Sequence, residues 1–185
     1  MLTANAITEL DVESATYAIF AEWLAKYFDG KTHDVGGNAA VQFPKAVISF
    51  GQSPATQPLN PAGAATPHAS ILMVWGAPVN TRKFWQAANG PNLGLAQQMA
   101  DRKVRWNFWV RCEQTASAGN NARKLSRQTA EKLSALLSNP ATTQELGQKG
   151  IHHCRPGEPE PVADAGYILM LVACRATLRY AVLGK

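Results

Sequence analysis

Hydrophobic and polar side chains alternate most regularly along residues 104–114. Every second residue from Val104 to Cys112 is aliphatic, aromatic or a thiol, and the residues between them are polar except for Trp109. This period of two, rich in aromatic and branched side chains, predicts a β-strand with one face in a core. Since aromatic residues and arginine are enriched in interfaces, Trp109 on the other face is a candidate contact residue. A solitary surface tryptophan is the alternative.

The spacing becomes helical over residues 121–138. Leucine and small residues recur every three or four positions, which predicts an amphipathic helix that ends before Pro140. Arg127 and Glu131 are four residues apart and can form an ion pair. Three basic side chains lie off the buried stripe: Arg123, Lys124 and Arg127. The simplest interpretation is a solvated helix face. The more specific interpretation is a surface that faces DNA or a partner.

A second, longer strand is predicted over residues 167–182. Its first half, 167–174, is almost entirely apolar, as expected for a strand covered on both faces. Its second half alternates, with Arg175 and Arg179 on the polar side. At about 3.3 Å per residue the strand would span roughly 50 Å, whereas a compact chain of this length has a radius of gyration near 16 Å. The strand therefore bends, breaks, or projects into the sheet of a neighbouring subunit.

The N-terminal half contains one more clear helix and two weaker strands. Aromatic and aliphatic residues at helical spacing predict a helix that begins at Asp11 or Ser14 and ends near residue 28. Branched and aromatic residues predict strands over 41–50 and 71–75. The aromatic stripe of the helix is interpreted as core.

The remaining segments are predicted as loops. Residues 52–70 are rich in Pro, Ala, Thr and Ser and predict an extended loop. Residues 80–103 have no clear pattern, with a short helix possible over 93–102. Residues 141–150 are predicted as a turn with some helical character, and residues 151–164 as a second Pro-rich linker.

Composition restricts the class of protein. A chain of 185 residues fits a single domain, and its net charge of +5 is compatible with work near nucleic acid. Three cysteines, at positions 112, 154 and 174, are too few and odd in number for a disulfide framework. The start of the sequence does not have the pattern of a secretory signal, and the apolar runs are too short to predict a membrane span.

Candidate catalytic chemistry is sparse. His152, His153 and Cys154 are adjacent, and neighbouring residues of an extended chain point in opposite directions, so they chelate one metal poorly. A zinc site completed by Cys112 or Cys174 stays open. Standard hydrolase, metalloprotease and dinucleotide motifs do not occur in the sequence. We expect a protein that is not an enzyme and needs neither a cofactor nor a metal.

A resemblance to a known family rests on several features of the C-terminal third. They are the aromatic strand 105–111, the helix 121–138, the step from Leu146 to Gly150 and Ile151, and a last strand ending at 175–180. The segment 43–48 and the aromatic N-terminal helix match as well. Together they resemble the tail terminator and tail-completion proteins of long-tailed bacteriophages. Against that family, residues 51–70 and 80–103 look like loop insertions into a single domain, 1–185.

The resemblance implies a structural role in the virion. Such proteins form a hexameric ring at the head-proximal end of the tail tube, stop its polymerisation, and join the tail to the head connector. The expected fold is α+β, a mostly antiparallel sheet flanked by two or three helices, with long Pro-rich loops. The implied partners are further copies of the chain, the tail tube protein, the head-side connector, and DNA that passes through the lumen unbound. The expected location is the virion neck, and the host cytoplasm before assembly, without a membrane.

Two groups of residues are candidates for the contacts of such a ring. Residues on the polar faces of the two long strands are assigned to subunit contacts: Trp109, Arg111, Arg175 and Arg179. Residues on the basic helix face are assigned to the lumen or to the next ring: Arg123, Lys124 and Arg127. Two alternatives stay open, namely another neck protein for head closure or tail completion, and a small nucleic-acid-binding module.

Overall fold

The computed structural model describes residues 9–28, 32–33, 41–42, 47–48, 69–75, 80–87, 96–113, 119–164 and 167–182. Its elements in chain order are α1 (Glu9–Phe28), β1 (Thr32–His33), β2 (Val41–Gln42), β3 (Val47–Ile48), β4 (Ala69–Trp75), β5 (Asn80–Ala87), β6 (Ala96–Glu113), α2 (Gly119–Ser138), α3 (Pro140–Gln148), β7 (Ile151–Pro156), β8 (Glu160–Asp164) and β9 (Tyr167–Ala181). The α+β class, with a mostly antiparallel sheet and three helices, is confirmed over these residues. The Pro-rich loop predicted over 52–70 lies outside them up to residue 68.

Two long antiparallel strands, β6 and β9, form the centre of a seven-stranded sheet. They pair from Met99 opposite Ala181 to Glu113 opposite Tyr167. Shorter strands follow one another along both outer edges, β5 and β4 beside β6, and β7 and β8 beside β9. Of the pairs in this sheet, β3 with β4 is parallel and the others are antiparallel. The predicted long C-terminal strand is confirmed, and it stays within its own sheet because β6 is as long as β9.

One face of the sheet, called here the helix face, carries the core. The even-numbered residues of β6 from Val104 to Val110 are buried on it, which confirms the predicted alternation. Phe20 of α1 packs edge-on against Trp106 and Phe108, with ring centroids 4.9 and 5.7 Å apart. The α2 stripe is buried at Thr129, Leu133 and Leu137, as predicted, against β6 and β9. The aromatic stripe of α1 is core too, so both long helices were predicted correctly.

The first half of β6 corrects the prediction for residues 80–103. Instead of a loop and a short helix, β5 and β6 form an antiparallel hairpin, paired from Asn80 opposite Lys103 to Ala87 opposite Ala96. The predicted helix is wrong over 96–102. Gln97, Gln98, Met99 and Ala100 favour helices in isolation, but pairing with β5 on one side and β9 on the other outweighs that weak preference.

The second Pro-rich segment, 151–164, is also not a linker. It forms β7 and β8, which pair with successive parts of β9. Both are edge strands of the sheet, where a proline that cannot donate a hydrogen bond is tolerated. Pro156 ends β7 and Pro161 lies in β8. The prediction of a linker over residues 151–164 was therefore wrong, because it interpreted the prolines of two edge strands as the mark of an irregular connection.

Between α2 and β7, residues predicted as a turn form the helix α3. The side chain of Asn139 accepts a hydrogen bond from the backbone N–H of Ala141 at 2.9 Å, and Pro140 occupies the first turn, where its missing donor costs nothing. Gly150, with φ of 92°, then turns the chain into β7. Its carbonyl accepts from the N–H of Arg179 at 2.8 Å, which fixes α3 to the centre of the sheet. Of the strand predicted over 41–50, the described parts are β2 and β3.

Candidate interaction surface

The face of the sheet opposite the helices, called here the outer face, carries the odd-numbered side chains of β6 and β9. In an antiparallel pair, directly opposed residues point to the same face. The register gives these opposed pairs, from one end to the other: Asp101–Arg179, Lys103–Thr177, Arg105–Arg175, Asn107–Ala173, Trp109–Leu171 and Arg111–Leu169. The outer face therefore changes from a charged end to an apolar end.

At the charged end, Arg179 is held by Asp101. Its Nε and Nη2 atoms donate to the two carboxylate oxygens at 2.8 and 2.9 Å. The guanidinium carbon lies 5.5 Å from the ring centroid of Phe84 in β5. These hydrogen bonds are the main cause that lowers the pKa of Asp101. Arg179, predicted as a subunit contact, is thus anchored within its own chain with its side chain still 43% exposed.

We expect Asp101→Asn to weaken the dependence of stability on acid pH. The folded pKa of Asp101 lies below its ordinary value of 3.8, so the stabilisation is complete above that pH and is lost as the pH falls through the folded pKa. Urea unfolding at pH 7 and pH 3 should show a smaller loss for the variant than for the wild type. Glu131→Gln, on exposed α2, is the control and should follow the wild type. Equal losses for Asp101→Asn and the wild type would contradict a stabilising pair.

In the middle of the outer face, three arginines form one row across three strands. The register places Arg175 of β9 between Arg105 of β6 and Arg155 of β7, and all three side chains are exposed. We call these three residues the arginine row. Opposed Cα atoms are about 5 Å apart, and like charges in that position destabilise a sheet. Within the described part of the chain these guanidinium groups form no ion pair.

Trp109 and Arg111 lie toward the apolar end. Trp109 is half-buried, with Leu72 and Leu171 at the neighbouring register positions, so it belongs to an apolar area and is not a solitary surface residue. Leu169 on the outer face and Met170 on the helix face are both buried, which bears out the predicted two-sided cover at these positions. Arg111 lies in β6 opposite Leu169, and its side chain is outside the described part.

The second predicted group lies on the other side of the domain. Since α2 packs its buried stripe on the helix face, its exposed residues point away from the sheet. Arg123 and Lys124 are exposed, and Arg127 forms the predicted pair with Glu131 at 2.8 Å. The two sets of candidate residues are therefore on opposite surfaces of the subunit.

The histidine and cysteine cluster does not converge on one point. His152 lies opposite Thr177, a position on the outer face, whereas Cys154 is buried in the core. Burial is the main cause that lowers the pKa of His152, followed by the positive charge of Arg179. A hydrogen bond with Cys154, and burial, raise the pKa of the Cys174 thiol. Among the described side chains, no three His, Cys, Asp or Glu residues come close enough to hold a metal ion.

Two features of the sheet escaped sequence reasoning. Trp85 in β5 lies opposite Gln98, on the side of the helix face, and is 68% exposed, with exposed Lys83 two residues away. Arg105 and Arg155 were not selected with Arg175, because the register that aligns them depends on partners far away in the sequence. Residues 80–87 have no alternation that would identify Trp85 as exposed, and residues 151–164 carry no signal for Arg155.

Comparisons with protein-family models and with curated proteins found no match for this chain. None of the helices in the described ranges has the length and apolar character needed to cross a membrane. Function is therefore inferred from the surface of the protein itself. That surface is a sheet face with arginines and a half-buried tryptophan, on the opposite side of the subunit from a basic helix.

Proposed function

We propose that this protein is a virion protein of a long-tailed phage, which forms a ring at the head-proximal end of the tail tube, ends tube polymerisation, and joins the tail to the head connector. The observation that carries the proposal is the outer face of the sheet, where the arginine row lies beside Trp109. Arginine and large aromatic residues dominate binding energy in protein interfaces. This surface suits binding to another protein, and no catalytic step or cofactor is part of the proposal.

The arrangement of surfaces also suits a ring. A closed ring of identical subunits needs two different complementary surfaces on each subunit. In the proposal, the outer face with Trp109, Arg111, Arg175 and Arg179 contributes to subunit contacts. The exposed face of α2 points toward the lumen or the next ring. Exposed Trp85 is a further contact candidate for the tail tube protein or the connector.

The charge on α2 is compatible with DNA passing through a lumen. Contacts between basic side chains and phosphates strengthen binding and make it salt-dependent, so a channel must limit them. Glu131 neutralises Arg127 in part, which leaves Arg123 and Lys124 as the more available cations. A few exposed cations, screened within about 8 Å at physiological salt, keep the DNA free to move.

Electron microscopy of lysates from a phage that lacks this gene tests the proposal. We expect overlong tails separate from filled heads, because tube polymerisation would continue without the ring. Tails of normal length with unjoined or leaking heads would assign the protein to head completion instead. Normal virions would overturn the structural role. DNA affinity of the isolated monomer that falls steeply with salt would then favour the nucleic-acid-binding alternative.

A further inference from the structure

Most of the carboxylates whose side chains the structure describes are used within the subunit. Of those whose side chains are described, five lie in ion pairs with basic residues of the same chain: Glu13, Glu22, Asp101, Glu131 and Glu145. Two do not. Glu158 and Glu160 are exposed, lie at the turn between β7 and β8, and form no ion pair within the described part of the chain. We call residues 158–160 the acidic turn.

The arginine row and the acidic turn are thus two surfaces of opposite sign on one sheet, and among the described residues no ion pair neutralises either of them. Glu160 is opposite Leu171, and Arg155 is opposite Arg175, four residues further along β9. Four residues of strand correspond to roughly 13 Å. The two surfaces lie side by side in one subunit without an ion pair joining them.

We propose that the arginine row of one subunit binds the acidic turn of a second copy of the chain. The inference rests on the ring of the proposed function and names a contact within it. The contact can be made in two arrangements. Head to tail, it leaves a free row on one subunit and a free turn on the other, and its repetition builds a ring or a filament. About a two-fold axis, each row binds the turn of the partner and the contact closes as a dimer, so the mass of the assembly distinguishes the two, and the proposed ring requires the first.

The spacing and stiffness of the two surfaces suit this contact. Glu158 and Glu160 are two residues apart, which limits the separation of their Cα atoms to about 7 Å, a distance comparable with the spacing of about 5 Å between neighbouring arginines of the row. Arginine can bind a carboxylate through two parallel hydrogen bonds, which fixes orientation as well as charge. Pro159 lies between the two glutamates and restricts the backbone before binding, so little conformational entropy is lost.

Two observations favour a second copy over other occupants. Pro156 and Pro161 interrupt the donors along this edge of the sheet, which disfavours the addition of a further strand through backbone hydrogen bonds. A nucleic acid on the row would bring its phosphates close to Glu158 and Glu160. A partner that carries carboxylates at one place and arginines at another avoids that repulsion, and the chain itself has both.

Charge exchange between two variants tests the contact. The first variant is Arg105→Glu with Arg175→Glu, and the second is Glu158→Lys with Glu160→Lys. In each variant alone, the row and the turn carry charges of the same sign and repel each other. We therefore expect self-association to weaken about 100-fold. In an equimolar mixture the reversed row meets the reversed turn, and the native turn meets the native row. The mixture should therefore assemble again, into alternating complexes of wild-type size.

Sedimentation velocity of the full-length proteins at low and high salt gives the readout, with circular dichroism to verify folding. Gln144→Glu with Gln148→Glu adds negative charge at exposed positions of α3, outside the proposed contact surfaces, and should leave assembly intact. A wild type that assembles, with folded variants that stay monomeric when mixed, would overturn this contact but leave the ring. A wild type that is monomeric at every concentration would overturn the contact, whereas the lysate phenotype decides the proposed function separately. Loss of DNA affinity in the first variant, without a change in assembly, would assign the row to nucleic acid.

Discussion

Trp106→Ala is expected to cost about 3 to 5 kcal/mol of unfolding free energy, enough to bring a domain at the low end of ordinary stability, about 5 kcal/mol, close to its unfolding midpoint. Trp106 is fully buried at the centre of β6, and its ring lies 4.9 Å from that of Phe20. Its removal leaves a cavity between α1 and the sheet that the surrounding aromatic side chains cannot fill without leaving their rotamers. Urea denaturation followed by far-ultraviolet circular dichroism measures the loss.

Trp85→Ala is the matched control, since the same side chain is removed from a position that is 68% exposed. We expect a change within about 0.5 kcal/mol. Trp106→Phe, which keeps most of the ring volume, should lose less than Trp106→Ala and keeps the comparison measurable if the alanine variant does not fold. Similar losses at positions 85 and 106 would contradict the placement of Trp106 in the core.

Glu13→Ala is expected to cost about 1 to 3 kcal/mol, although it removes only one side chain near the surface. Glu13 of α1 lies 3.9 Å from the guanidinium of Arg102, whose side chain is only 1% exposed. Removal of the carboxylate takes a counterion from a buried positive charge, which is the costly way to break such a pair. Combining Arg102→Met with Glu13→Gln removes both charges and should recover most of the lost stability.

The exposed pair of Arg127 and Glu131 provides the comparison. Its atoms are closer, at 2.8 Å, but the side chains are 71% and 51% exposed. Glu131→Ala should therefore change stability by about 0.5 kcal/mol or less. Equal effects at Glu13 and Glu131 would show that Arg102 does not depend on Glu13 for compensation of its charge.

Elements with a strong period were predictable from the sequence, and elements that depend on distant partners were not. The helices α1 and α2 and the strands β6 and β9 each have a buried stripe. The hydrophobic period of that stripe is visible in the sequence of the element alone. By contrast, the start of β6 carries residues that favour helices, β5 has no clear alternation, and β7 and β8 carry prolines. These segments become strands because the long edges of β6 and β9 offer unpaired hydrogen-bonding groups that must be satisfied.

The residues of the candidate interaction surface were likewise predictable only where the pattern of their own strand identified them. Arg175 and Trp109 could be selected because they interrupt or follow an alternating pattern in their own strands. The arginine row could not be predicted, since Arg105 and Arg155 are brought to Arg175 only by the register of two separate strand pairs. Nor could the sequence show that Arg179 is held by Asp101, a contact between residues 78 positions apart.

The central ladder also determines when the domain can form during synthesis. β9 is the last described element along the chain, yet it pairs with β6, β7 and β8 and separates the two outer edges of the sheet. Pairing over so long a separation makes formation of the sheet slow compared with that of the helices. Until the ribosome has delivered residue 181, the hydrophobic face of α2 lacks the part of the sheet that β9 provides, and the arginine row lacks its middle member. A nascent or truncated chain thus cannot enter the proposed ring, so assembly itself selects subunits that have been translated through β9.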